Sequence, residues 1–165
     1  MSNPSVPYVN LVAQWEDEKH DLLPIIESVM SSGQFVGGEA VESFEQKAAE
    51  LCGTQFCVAL NSGTDALVCG LLALGVRRGD EVITPPNSFI ASTAAIVHLG
   101  AKPVFVAATA ESSFLPDFAA VPENLLARAT LAYLCTPANP QGTVADLGYL
   151  ENLLRLARRH DFTLA

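Results

Sequence analysis

The sequence predicts an α/β fold in which a mainly parallel β-sheet is covered by helices in three layers, with an N-terminal helical arm before it. Short apolar segments alternate with amphipathic segments along residues 56–165, which is typical of strands joined by crossover helices. Turn residues separate these segments, and no internal repeat interrupts them. Of the 165 residues, 50% are hydrophobic, so the chain can bury a core of its own.

The N-terminal part is predicted to contain an extended arm and two helices. The arm runs through Trp15, and the first helix follows over residues 16–30, with Pro24 as a kink or as part of a late first turn. The second helix covers residues 38–52. Its apolar residues recur at helical spacing on one face, namely Val41, Phe44, Ala48 and Leu51.

The remaining elements alternate between strand and helix. Strands are predicted at residues 56–60, 81–84, 103–106, 131–135 and 162–165. Helices are predicted at residues 64–74, 90–99, 122–127 and 146–160. The resulting domain division is an N-terminal arm with helices over 1–55 and a sheet domain over 56–165.

The charge distribution excludes several classes of partner. The chain has 18 acidic and 9 basic residues, for a formal net charge of -9. Nucleic acids and anionic membranes call for basic clusters, and the only basic groupings here, Arg77-Arg78 and Arg155 with Arg158-Arg159, suit solvated helix ends. No apolar run approaches the ~18 residues of a spanning helix, and the N-terminus lacks a signal pattern. We therefore expect a cytoplasmic protein without nucleic-acid or membrane partners.

The four cysteines do not suggest a metal site. Cys52 and Cys57 are separated by four residues, but a second pair and nearby histidines are missing, which makes poor zinc spacing. Cys69 and Cys135 stand alone in apolar surroundings. We expect four buried free thiols and no bound metal.

The segment Asn61-Ser62-Gly63-Thr64-Asp65 places a small polar turn between an apolar strand and an apolar helix. A helix that starts there has unpaired backbone N–H groups and a positive dipole end, so it can hold a phosphate group without a lysine. The alternative is a simple N-cap at Ser62 or Thr64, with Asp65 favouring the dipole. Capping and anion binding use the same residue types, so this pattern leaves both interpretations open.

A dinucleotide-binding enzyme is the main competing interpretation of an alternating α/β chain. Its Gly-x-Gly-x-x-Gly turn should follow the first strand and open a helix. Here Gly33, Gly37 and Gly38 lie in a loop between two predicted helices, and no Walker-type Gly-Lys-Ser/Thr is present. The strand-to-helix turns that do occur suit a single phosphate and an aromatic ring.

Residues 6–106 resemble the N-terminal part of the DegT/DnrJ/EryC1/StrS family, whose members are pyridoxal-phosphate (PLP) aminotransferases that mostly act on nucleotide-linked keto-sugars. The matching segments follow the family's order and are residues 9–14, 32–38, 61–67, 79–85, 88–92 and 100–106. Residues 107–165 resemble the class I/II amino-acid aminotransferases, through Asn139-Pro140-Gln141-Gly142 and its surroundings. Both families share PLP fold type I. The resemblance thus implies part of the PLP-dependent transferase large domain, with the change of character near Val106.

The resemblance implies five cofactor-binding residues. Gly63, Thr64 and Asp65 match the positions at which the sugar aminotransferases hold the cofactor phosphate, and Phe89 matches the aromatic residue that stacks on the pyridine ring. Asn139 matches the residue that donates to the phenolic oxygen in the amino-acid aminotransferases. The alternatives are an ordinary core aromatic for Phe89 and a plain turn for Asn139.

Two further requirements of PLP chemistry are not met by this stretch of chain. The resemblance places the aspartate that pairs with the ring nitrogen at the end of the strand in which Ala165 lies, just beyond that residue, and the Schiff-base lysine later still. The lysines present are Lys19, Lys47 and Lys102, and none matches the family's lysine. We therefore expect the chain as given to be inactive in transamination.

The resemblance implies a PLP-dependent aminotransferase with a small-molecule amino donor, a keto acceptor and a homodimeric assembly. A nucleotide-linked keto-sugar is the favoured acceptor, because the substrate-contacting segments 10–14 and 35–38 match the sugar family. A 2-oxo acid is the alternative that residues 107–165 suggest. A second hypothesis, based on the missing lysine, is a non-catalytic remnant of the PLP fold.

Overall fold

A computed structural model describes residues 6–165, and the chain divides into two compact units. The first extends through Ala59, and the second covers Leu60–Ala165. The predicted domain boundary between residues 55 and 56 remains a prediction.

The first unit begins with helix α1 (Leu11–Ser32). The side chain of Asn10 caps this helix by accepting a hydrogen bond from the N–H of Ala13 at 3.1 Å. The predicted extended arm through Trp15 is therefore wrong, because the cap at Asn10 starts the helix earlier. Pro24 lies in the interior of α1, and the helix ends where Gly33 takes a left-handed φ of 69°.

Helix α2 (Glu39–Cys52) agrees closely with its predicted range and ends at Gly53, which is also left-handed. The predicted apolar face is not the buried face, however. Phe44 is 59% exposed and Leu51 is 88% exposed, whereas Ala49 is the buried residue of this helix. Helical spacing correctly places these apolar residues on one face of α2. That face is buried only where another part of the protein covers it.

Residues 56–60 are not a strand in this structure, contrary to the prediction. A strand needs a neighbouring strand to pair its backbone groups, and the four strands found within residues 6–165 pair only with one another. The N–H of Ala59 instead donates to the carboxylate of Glu45 on α2, at 2.8 Å. Phe56 and Val58 are consequently exposed.

The second unit is built on a four-stranded parallel sheet in the order β2-β1-β3-β4. Its strands are β1 (Glu81–Thr84), β2 (Lys102–Phe105), β3 (Ala129–Ala132) and β4 (Thr163–Leu164). Its helices are α3 (Gly63–Ala73), α4 (Ile90–His98), α5 (Glu123–Leu126) and α6 (Leu147–His160), with a 3₁₀ turn at Phe118–Ala120. The prediction placed β3 further along the chain. Hydrogen bonding does continue past Ala132, since the N–H of Tyr133 donates to the carbonyl of Ile83 at 2.8 Å.

Two buried clusters lie on opposite faces of the sheet. Val82 and Leu131 pack in a cluster with residues of α3 and α4, including Leu71 and Ile96. The next residue on each strand points the other way, as the alternation of a strand requires, and packs in the cluster that contains α6. The sheet is therefore the middle of three layers, which confirms the predicted fold class.

The structure corrects the expectation that the four cysteines are buried. All four cysteines are free, but Cys52, Cys69 and Cys135 are exposed and Cys57 is partly buried, so the predicted burial is wrong. Their apolar sequence neighbours lie largely on uncovered surfaces.

Within residues 6–165, no helix has the length and apolar character needed to cross a bilayer.

Candidate cofactor site

The first turn of α3 carries the predicted phosphate site. Ser62 has an extended backbone, and its Oγ accepts a hydrogen bond from the N–H of Asp65 at 3.1 Å. The N–H of Ala66 donates to the carbonyl of Ser62 at 3.0 Å. Among residues 6–165, the N–H groups of Gly63 and Thr64 have no hydrogen-bond acceptor. The N-cap is therefore present, and it leaves two adjacent N–H groups free.

The surroundings of this turn are open to a ligand. A Cβ atom built on Gly63 would have no other heavy atom within 4 Å. The side chains of Ser62 and Thr64 are exposed, and Asp65 is partly buried. An anion could approach the two free N–H groups and the Thr64 hydroxyl, and the helix dipole would stabilise it there.

The connections of the sheet place this turn at the carboxyl ends of the strands. Helix α3 ends shortly before β1 begins, and α4 begins shortly after β1 ends. The two helices pack against each other and against the same face of the sheet. Both therefore run opposite to β1, and both begin at the sheet's carboxyl edge. Ligands of open α/β sheets bind at this edge.

Phe89 lies at the start of α4, on the same edge. It occupies the N-cap position with no side-chain cap bond, and its side chain is 58% exposed. Phe89 belongs to neither buried cluster, so the alternative of an ordinary core aromatic does not describe it. An exposed ring at this position is available for stacking on a planar ligand.

Asn139 lies in the loop that follows β3. The loop is closed by two backbone hydrogen bonds, from Ala138 N–H to the Thr143 carbonyl at 2.8 Å and from Gly142 N–H to the Ala138 carbonyl at 2.6 Å. Gly142 has a φ of 73°, which favours glycine. The turn interpretation of this motif thus has a structural basis, and Asn139 is an exposed residue within the turn.

Sequence reasoning missed Thr84, the last residue of β1. Its exposed fraction is 0%, and its Oγ1 has no hydrogen-bond partner among the residues that the structure describes. The available signal was a polar residue at the end of an apolar strand, directly before two prolines. Thr84 lies at the same edge of the sheet as the starts of α3 and α4.

A cavity of about 520 Å³ lies on the α6 face of the second unit. Its walls come from Ser112, from residues 115–119 and from one side of α6 between Tyr149 and Leu156. Tyr149 lines it and donates a hydrogen bond to the carbonyl of Pro116 at 2.6 Å. Burial, together with the negative charge of Asp117, raises the pKa of Tyr149 to about 12. None of the five predicted cofactor residues lines this cavity.

Comparison with known proteins identifies the family. The model of the DegT/DnrJ/EryC1/StrS aminotransferase family matches residues 16–165, which is most of the chain. The chain belongs to this family. The match extends through both parts of the sequence, including the part after Val106 that resembles the amino-acid aminotransferases.

Two curated relatives match nearly the full length of the chain. The erythromycin biosynthesis sensory transduction protein EryC1 of Saccharopolyspora erythraea is 37% identical over 96% of the chain and 42% of the relative. The dTDP-3-amino-3,4,6-trideoxy-alpha-D-glucose transaminase of Streptomyces venezuelae is 36% identical over 95% of the chain and 40% of the relative. The chain therefore spans about two fifths of their length.

A solved structure confirms the fold of the DegT/DnrJ/EryC1/StrS chain. The crystal structure of DesV from S. venezuelae in complex with a ketimine intermediate matches with a TM-score of 0.81 and 32% identity. The match covers 98% of the chain and 42% of DesV. The three-layer arrangement is thus shared with the corresponding region of DesV.

Proposed function

We propose that the chain is the N-terminal, cofactor-binding part of a PLP-dependent aminotransferase that transfers an amino group to a nucleotide-linked keto-sugar. The observation that carries the proposal is the first turn of α3, with two adjacent free N–H groups at Gly63 and Thr64. An anion such as the cofactor phosphate satisfies both groups at the positive end of the helix. Membership of an aminotransferase family supports PLP as the ligand that carries this phosphate.

Each predicted residue has a separate role in holding the cofactor. Gly63 and Thr64 bind the phosphate, and Phe89 lies against the ring. Asn139 donates to the phenolic oxygen. The N–H of Asp65 is already bonded to Ser62, and its carboxylate has the same sign of charge as the phosphate, so Asp65 acts indirectly by stabilising the first turn of α3. When bound, PLP supplies the electron sink that amino-group transfer requires.

The names of the relatives support a nucleotide-sugar acceptor. The relative from Streptomyces venezuelae is named as a transaminase of a dTDP-linked amino sugar. A 2-oxo acid would call for an arginine that binds its carboxylate, and we assign none of the arginines in this stretch to that role. A keto-sugar is therefore the acceptor that we propose, with a small-molecule amino donor.

We further propose that none of the three lysines present is the covalent anchor of the cofactor. Lys102 is the first residue of β2, so it lies at the amino end of its strand and away from the edge where α3 and α4 begin. Lys19 forms an ion pair with Glu16 on the same helix. Borohydride reduction with PLP, followed by peptide mapping, tests this point. Stoichiometric labelling of one of these lysines would contradict it.

The complete enzyme is proposed to be a cytoplasmic homodimer. Helix α1 supports the dimer, since apolar side chains along it are exposed and no residue of the helix is buried. The exposed set includes Leu22, Leu23, Ile25, Ile26, Val29 and Met30. Apolar surface of this extent is typical of a region that another protein surface covers.

The experiment that tests the cofactor site is a comparison of Gly63→Pro with Gly63→Ala. Gly63 is the first helical residue, where proline is tolerated, and the extended backbone of Ser62 suits the residue before a proline. Proline removes one free N–H and leaves the helix intact, whereas alanine keeps the N–H and meets no neighbouring atom. Loss of one hydrogen bond to a charged group should cost about 1.5–3 kcal/mol, or roughly a tenfold to hundredfold loss of PLP affinity.

Binding of PLP and of pyridoxal is measured by absorbance titration of the three chains. The proposal expects Gly63→Ala to bind PLP like the original chain and Gly63→Pro to bind it more weakly. Pyridoxal, which lacks the phosphate, should bind all three equally weakly. Equal PLP affinity in Gly63→Pro and Gly63→Ala would show that this turn does not hold the phosphate.

A further inference from the structure

Four buried side-chain atoms within residues 6–165 lack a hydrogen-bond partner. Two of them lie close to a charged side chain. Glu81 Oε2 lies 3.2 Å from an Arg128 nitrogen, and His160 Nε2 lies 3.7 Å from a Glu123 oxygen. The other two, Thr84 Oγ1 and Gln141 Oε1, have no such neighbour, and both lie beyond or at the carboxyl end of a strand.

Thr84 is the more constrained of these two residues. Gln141 is partly exposed, whereas Thr84 is completely buried at the end of the central strand β1. Its side chain lies on the same face of the sheet as that of Val82, because side chains alternate along a strand. Val82 packs in the cluster under α3 and α4. The Thr84 side chain is thus oriented toward the layer of helices that carries the proposed cofactor site.

The connection that follows Thr84 has few bonds of its own. Pro85 and Pro86 lack an N–H group, and no carbonyl of residues 85–88 accepts a backbone hydrogen bond within the described part of the chain. A contact at 3.5 Å joins the hydroxyls of Ser88 and Ser92. Phe89 comes next in the chain. Its position therefore depends on a connection whose carbonyl groups accept no backbone hydrogen bond and which directly follows the buried, unpartnered hydroxyl of Thr84.

We propose that Thr84 is a positioning residue for Phe89. When a planar phosphate ligand occupies the site and Phe89 lies against its ring, the Thr84 hydroxyl donates to a backbone carbonyl of residues 85–88 and holds the connection in place. This inference rests on the proposed function, since it needs PLP at the start of α3. An unpartnered buried hydroxyl destabilises the free chain, and the bond made on binding removes that cost.

The test compares Thr84→Val and Thr84→Ser with Thr130→Val as the matched control. Valine keeps the shape of threonine and removes the hydroxyl, and serine keeps the hydroxyl. Thr130 lies inside the neighbouring strand β3, away from the carboxyl edge, and is partly buried. For each chain, three quantities are measured: the melting temperature without ligand, the Kd for PLP, and the induced circular dichroism of bound PLP, which reports the orientation of the ring.

The expected result separates stability from binding. Thr84→Val should melt at the same temperature as the original chain or higher, since valine buries no unpartnered oxygen. It should bind PLP about tenfold more weakly, because it lacks one hydrogen bond. The dichroism signal per bound cofactor should also change. Thr84→Ser should keep the signal of the original chain, and Thr130→Val should change neither affinity nor signal.

Three outcomes would overturn the inference. If Thr84→Val binds PLP with unchanged Kd and dichroism, the hydroxyl does not position Phe89, while the proposed function stands. If Thr84→Val melts lower or fails to fold, the hydroxyl already has a structural partner in the free chain. If the original chain binds no PLP, the proposed function and this inference fail together.

Discussion

The hydroxyl of Tyr149 donates a hydrogen bond to the carbonyl of Pro116 at 2.6 Å and so joins the first turn of α6 to the loop before the 3₁₀ turn. Tyr149→Phe removes the donor, so the Pro116 carbonyl keeps only its bond from the N–H of Phe118 at 3.1 Å. We expect a loss of about 1 kcal/mol in the free energy of unfolding. Urea denaturation measures it, and Tyr8→Phe is the control, because Tyr8 is fully exposed. Equal losses in both variants would contradict the prediction.

The same tyrosine predicts a dependence of stability on alkaline pH. Burial and Asp117 raise its pKa from 10.0 to about 12, so the folded chain favours the protonated phenol. This contribution to stability is fully present below pH 10 and is lost as the pH rises through 12. Burial also raises the pKa of Tyr133, which acts in the same direction. Between pH 9 and about pH 12, the melting temperature of Tyr149→Phe should fall less steeply than that of the original chain. Identical slopes in the two chains would show that Tyr149 does not contribute to the pH dependence of stability.

Ser62→Ala tests the cap of α3. The variant loses the side-chain acceptor of the Asp65 N–H and should reduce stability by about 1 kcal/mol. Ser43→Ala, on the exposed surface of α2, is the control and should be neutral or slightly stabilising. Thermal unfolding of both chains gives the comparison. An unchanged melting temperature for Ser62→Ala would mean that the cap bond contributes nothing to folding.

Glu45 anchors the segment that was predicted as the first strand, through its bond to the N–H of Ala59. Glu45→Ala should expose this N–H to solvent, whereas Glu45→Gln retains an acceptor oxygen. Hydrogen exchange of the Ala59 amide should therefore accelerate in the alanine variant and remain slow in the glutamine variant. Fast exchange in all three chains, including the original, would show that the anchor does not form in solution.

Exposed apolar residues in the same segment predict self-association. Phe56 is 76% exposed and Val58 is 72% exposed, and an apolar segment with unpaired backbone groups favours pairing with another chain. Val58→Glu should lower the apparent mass in sedimentation equilibrium. Val36→Glu, at a site that is 91% exposed, adds the same charge elsewhere and should leave the mass unchanged. A stable monomer of the original chain would contradict the prediction.

The turn before α3 shows how far sequence reasoning reaches at the proposed site. The polar residues predicted either a cap or an anion site; the cap is present, and the backbone leaves room for an anion, because Ser62 bonds only one of the N–H groups. Pattern alone could not separate the two roles, since they use the same residue types. Thr84 carried no recognisable motif, and the role that we propose for it depends on a burial that only the packed sheet creates.

Local signals in the sequence determined most of the elements. Ser62 and Asp146 cap α3 and α6 close to the predicted positions, and the run at residues 81–84 is the strand that the prediction gave. Tertiary structure decided the rest: that β3 lies between β1 and β4, that Leu51 remains exposed, and that residues 56–60 stay unpaired. Caps and turns depend on bonds between residues close in the chain, whereas strand pairing and burial depend on partners that no local pattern specifies.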